Sequence, residues 1–322
     1  MAKSWKEWEK PLLDLEDLIA KARVAIKSAP VEEQKAAEAK IEEYERRRDH
    51  ISEVLYSRLG PWEKVLVARA EPRPYALDYI GALCHDFVEL DGDRRFGQDH
   101  AIVGGPAFFN GKPVMVLGQQ KGRNIQERQF RNFAMAKPEG YRKAIRLMDM
   151  ACRFGMPILT FVDTPAADPG IESESRGISE AIASSIQKMF QVEVPVVSVI
   201  IGEGGSGGAI GIAAGNSVLM QENAVFSVIP PEGCAAILWR MPEKGAQAAV
   251  ALQLTAQSAL QFGLIDEVLP EPFGGAHRDP KAAFETVRTA VEGAFKSLAG
   301  MSGEELKAHR YEKFRKMGVF GS

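Results

Sequence analysis

VPVVSVIIGEGGSGGAIGIAAGNSVLM, residues 194–220, decides how this 322-residue chain is read. The run Val196-Val197-Ser198-Val199-Ile200-Ile201 is short, β-branched and bounded by Pro195 and Gly202, which predicts a buried strand rather than a helix. It breaks into Gly202-Glu203-Gly204-Gly205-Ser206-Gly207-Gly208, and residues 206–214, none larger than Ile, then predict a helix that can lie close against neighbouring backbone. The expected order is strand, glycine-rich turn, helix, strand. Five glycines in seven positions are costly in regular structure, so the backbone itself must approach something or adopt positive φ. Backbone N–H groups at such a helix start form a donor-rich pocket for an anion.

Three chemistries compete for this turn, and its buried apolar flanks argue against a plain linker. Gly202, Gly204 and Gly207 fit G-x-G-x-x-G, a dinucleotide fingerprint, and Glu222 stands about 20 residues on; too little chain separates Gly207 from Glu222 for an ordinary β-α unit. Gly204, Ser206 and Gly208 fit G-x-S-x-G, a nucleophile elbow that needs a histidine base. Chain order would allow Ser206, Asp266 and His277, but His277 lies in the polar loop 272–278, whose ordinary role is a surface or interface turn. The third chemistry is an oxyanion hole made of backbone N–H groups alone, as an enolate-stabilising enzyme needs. No Gly-Lys-Ser/Thr follows, which excludes a P-loop.

The composition, 45% hydrophobic and 26% charged, is that of a soluble globular chain, long enough for one large domain and an appendage. A net charge of -3 argues against bulk nucleic-acid binding. Cys84, Cys152 and Cys234 form no CxxC pair, so neither a disulfide framework nor a metal site is predicted. The N-terminus MAKSWKEWEK lacks an apolar signal core, and the only candidate membrane span is the glycine stretch itself, spoiled by seven glycines, Pro195 and Glu203. A cytoplasmic, membrane-free setting is expected.

Residues 1–60 read as a helical hairpin broken at Ala29-Pro30, with Ile41, Tyr44, Ile51, Val54, Leu55 and Leu59 on one apolar stripe; they form a first region suited to subunit packing. Residues 61–322 read as a single α/β domain. Residues 75–89 predict a helix, residues 101–109 and 112–118 a hairpin turning at Asn110-Gly111, and residues 138–154 a helix stopped by Gly155. A strand at 158–162, a polar loop at 163–177 and a helix to Phe190 lead into the central strand. Strands at 224–229 and 264–269, helices at 232–239 and 245–256 and a helical tail from Pro280 complete the pattern. Parallel α/β sheets place ligands beyond the carboxyl ends of strands, so Asp163-Thr164-Pro165 should neighbour the glycine turn. The basic segment Lys121 to Arg131 is either a solvated loop or a loop facing an anionic ligand, with Lys121, Gly122 and Arg123 as the candidate contacts.

Together the glycine run, residues 138–148 (PEGYRKAIRLM), Phe161-Val162-Asp163-Thr164-Pro165, residues 231–239 (PEGCAAILW) and residues 270–278 (PEPFGGAHR) resemble the carboxyltransferase alpha subunit of bacterial acetyl-CoA carboxylase. The likeness runs over nearly the whole chain. It implies a crotonase-like (ClpP/crotonase) spiral of ββα units and an obligate zinc-ribbon beta subunit in an α2β2 complex. It also implies carboxybiotin, delivered on the biotin carboxyl carrier protein, as the donor of the carboxyl group that turns acetyl-CoA into malonyl-CoA for fatty acid synthesis. By motif match the oxyanion hole falls on Gly204-Gly205 or Gly207-Gly208, with Asp163, Thr164, Pro165, Lys121, Gly122 and Arg123 lining the substrate, and no metal in this chain.

The chain departs from the family pattern beside that site. Asp-Thr-Pro continues as Ala166-Ala167-Asp168-Pro169-Gly170 instead of Gly-Ala-Tyr-Pro-Gly, Glu172 replaces a glycine, and Asn132-Phe133-Ala134-Met135-Ala136 replaces Asn-Phe-Gly-Met-Pro. Either the loop differs or the lost glycines were unstrained. The departures suggest a divergent paralogue, altered in inhibitor response or acyl-CoA choice, or a scaffold subunit that has lost catalysis.

Overall fold

The computed structural model describes residues 4–28 and 30–318. Its centre is a sheet ordered β1-β2-β3-β4-β5-β6-β8, with β7 pairing the end of β5 off this path. The strands are β1 (Cys84–His85), β2 (Ile102–Phe109), β3 (Lys112–Gln119), β4 (Ile158–Thr164), β5 (Val196–Gly205), β6 (Ser217–Gln221), β7 (Val225–Ser227) and β8 (Glu267–Leu269). The first three run antiparallel, and from β3 onward every pairing is parallel. The hairpin turns at Asn110 and Gly111, both at positive φ, as a two-residue Asn-Gly turn requires.

β5 is continuously apolar because both of its faces are covered. Val196 and Ile200 pack with Met115, Leu147, Ile158 and Ile212 on one side; Val197, Val199 and Ile201 pack with Tyr79, Phe161, Leu219 and Val287 on the other. Burying each such branched side chain contributes about 1.5–3 kcal/mol. The helix Pro138–Phe154 covers the first face, and Ala76–Leu83 with Pro280–Ser297 cover the second.

Several expected elements are shorter than their sequence pattern, and in each case tertiary pairing sets the boundary. The helix expected over 75–89 ends at Leu83, because Cys84 and His85 pair with Phe109 and Phe108, and the N–H groups of Val88 and Leu90 bond to the carbonyls of Pro106 and Gly104. The helix expected over 245–256 stops at Leu252; Gln253 turns left-handed, Leu254 accepts from Phe226 N–H, and Thr255 caps a separate helix, Ala256–Gln261. The strands expected at 224–229 and 264–269 contract to Val225–Ser227 and Glu267–Leu269. Within the loop 163–177 lies a short helix, Ile171–Ser175. The tail forms two helices, Pro280–Ser297 and Gly303–Arg315, parted at Gly300.

The N-terminal hairpin comprises Lys10–Ile26 and Val31–Tyr56; of the predicted break, Ala29 lies outside the described residues. The hairpin is latched to the body by Glu9, whose buried carboxylate accepts from Tyr56 and Arg278 and lies 3.2 Å from His277 Nε2. His277 is therefore a buried joint rather than a surface turn. Among the described residues no helix is long and apolar enough to cross a membrane.

Candidate functional site

β4 and β5 end side by side at the carboxyl edge of the parallel strands, and these two ends build the site. Their register passes from Val162↔Ile200 to Thr164↔Gly204, so β5 advances four residues while β4 advances two. Asp163 takes up the slack: its Oδ1 accepts the Glu203 N–H at 2.8 Å. Gly202 makes room for that carboxylate, since a Cβ there would stand 2.3 Å from Oδ1.

A chain of buried charges ties these ends together. Lys121, just past β3, places Nζ 2.7 Å from Asp163 Oδ1 and 3.0 Å from Glu203 Oε1. Arg69 Nε lies 2.7 Å from Glu203 Oε2, and its Nη1 lies 2.5 Å from Glu232 Oε1. Burial opposes charge on Glu203, but Lys121 and Arg69 outweigh it and hold the carboxyl at about 2. Asp163 is pushed up, first by burial, with the Glu203 charge adding to it and Lys121 opposing. For Lys121 burial opposes the charge, yet the two carboxylates hold its ammonium above the ordinary lysine range. Beneath this chain Arg73 forks onto Glu271 at 2.6 and 2.8 Å and donates to the Ile201 carbonyl; against the cost of burial, Arg73 holds the Glu271 carboxyl at about 2.

The expected glycine turn is instead a strand running straight into a helix. β5 continues through Gly205, and Ser206, at φ +58°, opens the helix Ser206–Ala213. Asp163-Thr164-Pro165 does neighbour it. A Cβ on Gly205 would meet the Pro165 carbonyl oxygen at 1.9 Å, and one on Gly208 the Ala167 nitrogen at 2.5 Å, so both glycines are fixed by backbone against backbone. Gly207 is different: a Cβ there would meet only Ile182, at 3.5 Å. Gly204 and Gly205 lie in the ladder with β4 and β7, whereas the N–H groups of Gly207 and Gly208 fall in the first helical turn, where no intrahelical acceptor exists. The Gly208 carbonyl is pinned by Gln119 Nε2 at 2.7 Å and the Tyr141 hydroxyl at 3.1 Å. A cavity of about 20 Å³ lies beside Gly204 and Gly205, lined also by Arg69, Pro165, Glu203 and Pro230, and is not lined by Gly207 or Gly208.

The remaining predicted residues separate. Thr164 Oγ1 lies 2.6 Å from the carbonyls of both Ala134 and Ala166. Gly122 packs on the middle of the helix Ile125–Phe130, where a Cβ would meet Arg128 N at 2.3 Å. Arg123 turns away, its guanidinium 4.5 Å from the Tyr75 ring centre and paired with Asp78, while Arg128 pairs with Glu71. Of the basic segment, Lys121 is the member bonded to the glycine-bearing strand. Sequence reasoning missed Gln119, Tyr141 and Arg69; a polar Gln119 closing the apolar β3 run was the available signal.

Ser206 does sit at positive φ where the strand meets the helix, as a nucleophile elbow would place it, but the base expected for it is elsewhere. Asp266 accepts from the Val218 N–H and pairs with Lys313, while His277 belongs to the Glu9 latch, so the two do not meet.

The family described as "Acetyl co-enzyme A carboxylase carboxyltransferase-like" matches residues 5–318. The chain belongs to this family. It is 50% identical over 314 residues to the acetyl-coenzyme A carboxylase carboxyl transferase subunit alpha of Thermus thermophilus, covering 98% of each chain. It is 51% identical over 315 residues to that of Geobacter metallireducens, covering 98% of this chain and 97% of the other. Among solved structures, transcarboxylase 12S superposes with a TM-score of 0.55 at 19% identity, over 69% of this chain and 42% of that one. A malonate decarboxylase heterodimer from Pseudomonas gives 0.55 at 18%, over 67% and 88%. The fold is that of the crotonase-like carboxyltransferases.

Two of the chain's departures from the family pattern now have a structural account. Ala134 follows Asn132 and Phe133 in a run of three positive φ angles, so alanine bears a conformation that suits glycine, at a cost of about 1 kcal/mol. Ala166 has no such angle, so the glycine it replaces was not required for conformation. Asp168 links the altered segments, with its N–H on the Ala136 carbonyl and its carboxylate accepting from Ser173.

Proposed function

We propose that this carboxyltransferase alpha subunit takes carboxybiotin, presented by a biotin carboxyl carrier protein, and passes its carboxyl group to acetyl-CoA to give malonyl-CoA for fatty acid synthesis in the cytoplasm. The observation that carries the reading is the pair of helix-start N–H groups on Gly207 and Gly208, in a segment fixed on either side of Gly207 by the packing of Gly205 on Pro165 and of Gly208 on Ala166 and Ala167. When the carboxyl group leaves biotin N1, negative charge gathers on the ureido oxygen; each backbone donor aimed there lowers the barrier by roughly 3 kcal/mol. The ureido nitrogen then takes the methyl proton of acetyl-CoA, and the enolate carbon forms the new bond to the carboxyl carbon. No side-chain acid or base of this chain is needed, and Ser206 needs only to be small.

A zinc-ribbon beta subunit completes the site in an α2β2 assembly. One observation supports this: Val228, Ile237 and Leu238, beyond the end of β7 and on the helix Pro231–Trp239, are 62–76% exposed. In this reading residues 61–322 form the transfer domain and residues 1–60 serve subunit packing. Thr164 and Pro165 shape the substrate wall through their backbones, whereas Gly122, packed on the helix Ile125–Phe130, and Arg123, turned to Tyr75 and Asp78, make no substrate contact in this reading. Gly208→Ala in the assembled complex tests the hole: transfer of the carboxyl group from malonyl-CoA to free biotin should fall by about 10²–10³-fold.

A second reading concerns specificity. Ala166 and Ala167 lie against Gly208, so the altered loop bears on the hole itself. Restoring Gly-Ala-Tyr at 166–168 should change acyl-CoA range or inhibitor response; unchanged behaviour in both would remove the divergent-paralogue reading.

A further inference from the structure

Lys121 reaches across two strand ends from a third. Its ammonium touches Asp163, which precedes Thr164 and Pro165, and Glu203, which precedes Gly204. Everything beyond those carboxylates is in backbone contact: Pro165 against Gly205, and Ala166 and Ala167 against Gly208. The separation of β4 and β5 at this edge therefore sets where the helix-start N–H groups point, and Lys121 spans that separation. The carboxylates it bridges are both buried, and Glu203 N–H already binds Asp163 Oδ1, so the two acidic side chains lie close together. Without a cation between them, like charges in a low-dielectric site force one to take a proton or the strands to part. Arg69 braces the outer oxygen of Glu203 and cannot reach over to Asp163 while it forks onto Glu232. The Lys121 side chain is only 15% exposed and has both carboxylates as partners, so its charge is spent inside the protein rather than on a ligand.

We propose that Lys121 is a positioning residue of the carboxyl-transfer site, clamping Asp163 to Glu203 so that the Gly207 and Gly208 N–H groups hold their aim. The inference rests on the carboxyltransferase reading and revises Lys121 from substrate contact to clamp. A clamp acts on the transition state, so its loss should lower kcat and leave substrate affinity nearly intact.

The test uses the complex assembled with its beta partner, assayed by transfer from malonyl-CoA to free biotin, with melting temperatures recorded alongside. Lys121→Met should lower kcat by about 10²-fold while KM for malonyl-CoA moves less than about threefold. Lys121→Arg, which can still bridge two carboxylates, should recover kcat to within about tenfold of the parent. Glu203→Gln, close in size but uncharged, should reproduce the kcat loss and serves if Lys121→Met does not fold. Unchanged kcat in either variant, a rise in KM instead, or failure of both variants to fold would overturn the clamp. A parent complex that assembles and is inactive would overturn the carboxyltransferase reading, and the clamp with it, whereas an active parent with unaffected variants sinks the clamp alone.

Discussion

The glycines of residues 202–208 are not equivalent, and substitution should sort them. At Gly208 an added methyl collides with backbone, so Gly208→Ala should cost about 1–3 kcal/mol of stability as well as activity, read as a lowered melting temperature. Gly207→Ala keeps its N–H and meets only ordinary contact, so it should fold normally and stay within a few-fold of parental activity. Ser206→Ala should also stay within about threefold; a serine hydrolase would lose essentially all activity. At this scale the glycine run announced itself, because so many glycines between apolar runs need a reason. Arg69 and Tyr141 did not, since each acts on a residue far away in sequence and nothing in its own neighbourhood marks that role; Gln119 carried only the weak signal of a polar residue closing an apolar strand.

Among the elements, β5 was legible as a buried strand, yet the turn expected after Ile201 is four further residues of strand. The cause is local: Asp163 accepts from Glu203, and β7 pairs with residues 203–205, which together hold extended backbone through the glycines. The helix predicted over 75–89 fails for a similar reason, as pairing with β2 outbids its helical spacing after Leu83. Acid should report on this edge. The carboxyls of Glu203 and Glu271 fall from 4.5 to about 2 in the folded protein, so the stability they contribute is present above about 4.5 and is lost as pH falls toward 2. Each drop is worth about 3 kcal/mol. Denaturant unfolding followed from pH 5 to 2 should therefore be steep for the parent and shallower for Glu203→Gln; parallel curves would show that the pair with Lys121 and Arg69 is not what holds the carboxyl down.

On the scale of the molecule, the sequence separated a helical hairpin from an α/β body but gave no sign of the joint between them. Glu9, His277, Arg278 and Tyr56 come from distant parts of the chain, and none stands in a pattern that marks burial. Glu9→Ala would leave His277 and Tyr56 without their carboxylate and Arg278 with Glu16 as its remaining partner, a loss of about 1–3 kcal/mol. The hairpin should then exchange amide hydrogens and be cleaved by protease ahead of the sheet; uniform protection across both would mean that the latch is not what fixes the hairpin.

The central claim is that half of a transfer site lies at the start of the helix Ser206–Ala213 and that a beta subunit supplies the rest. Its most direct measurement is to co-express the chain with a zinc-ribbon beta subunit, purify the complex, and follow carboxyl transfer from malonyl-CoA to free biotin. The account predicts a stable complex that is active, with neither chain active alone and Gly208→Ala assembled but impaired. Activity of the isolated chain, a complex that forms but transfers nothing, or undiminished transfer by assembled Gly208→Ala would contradict it.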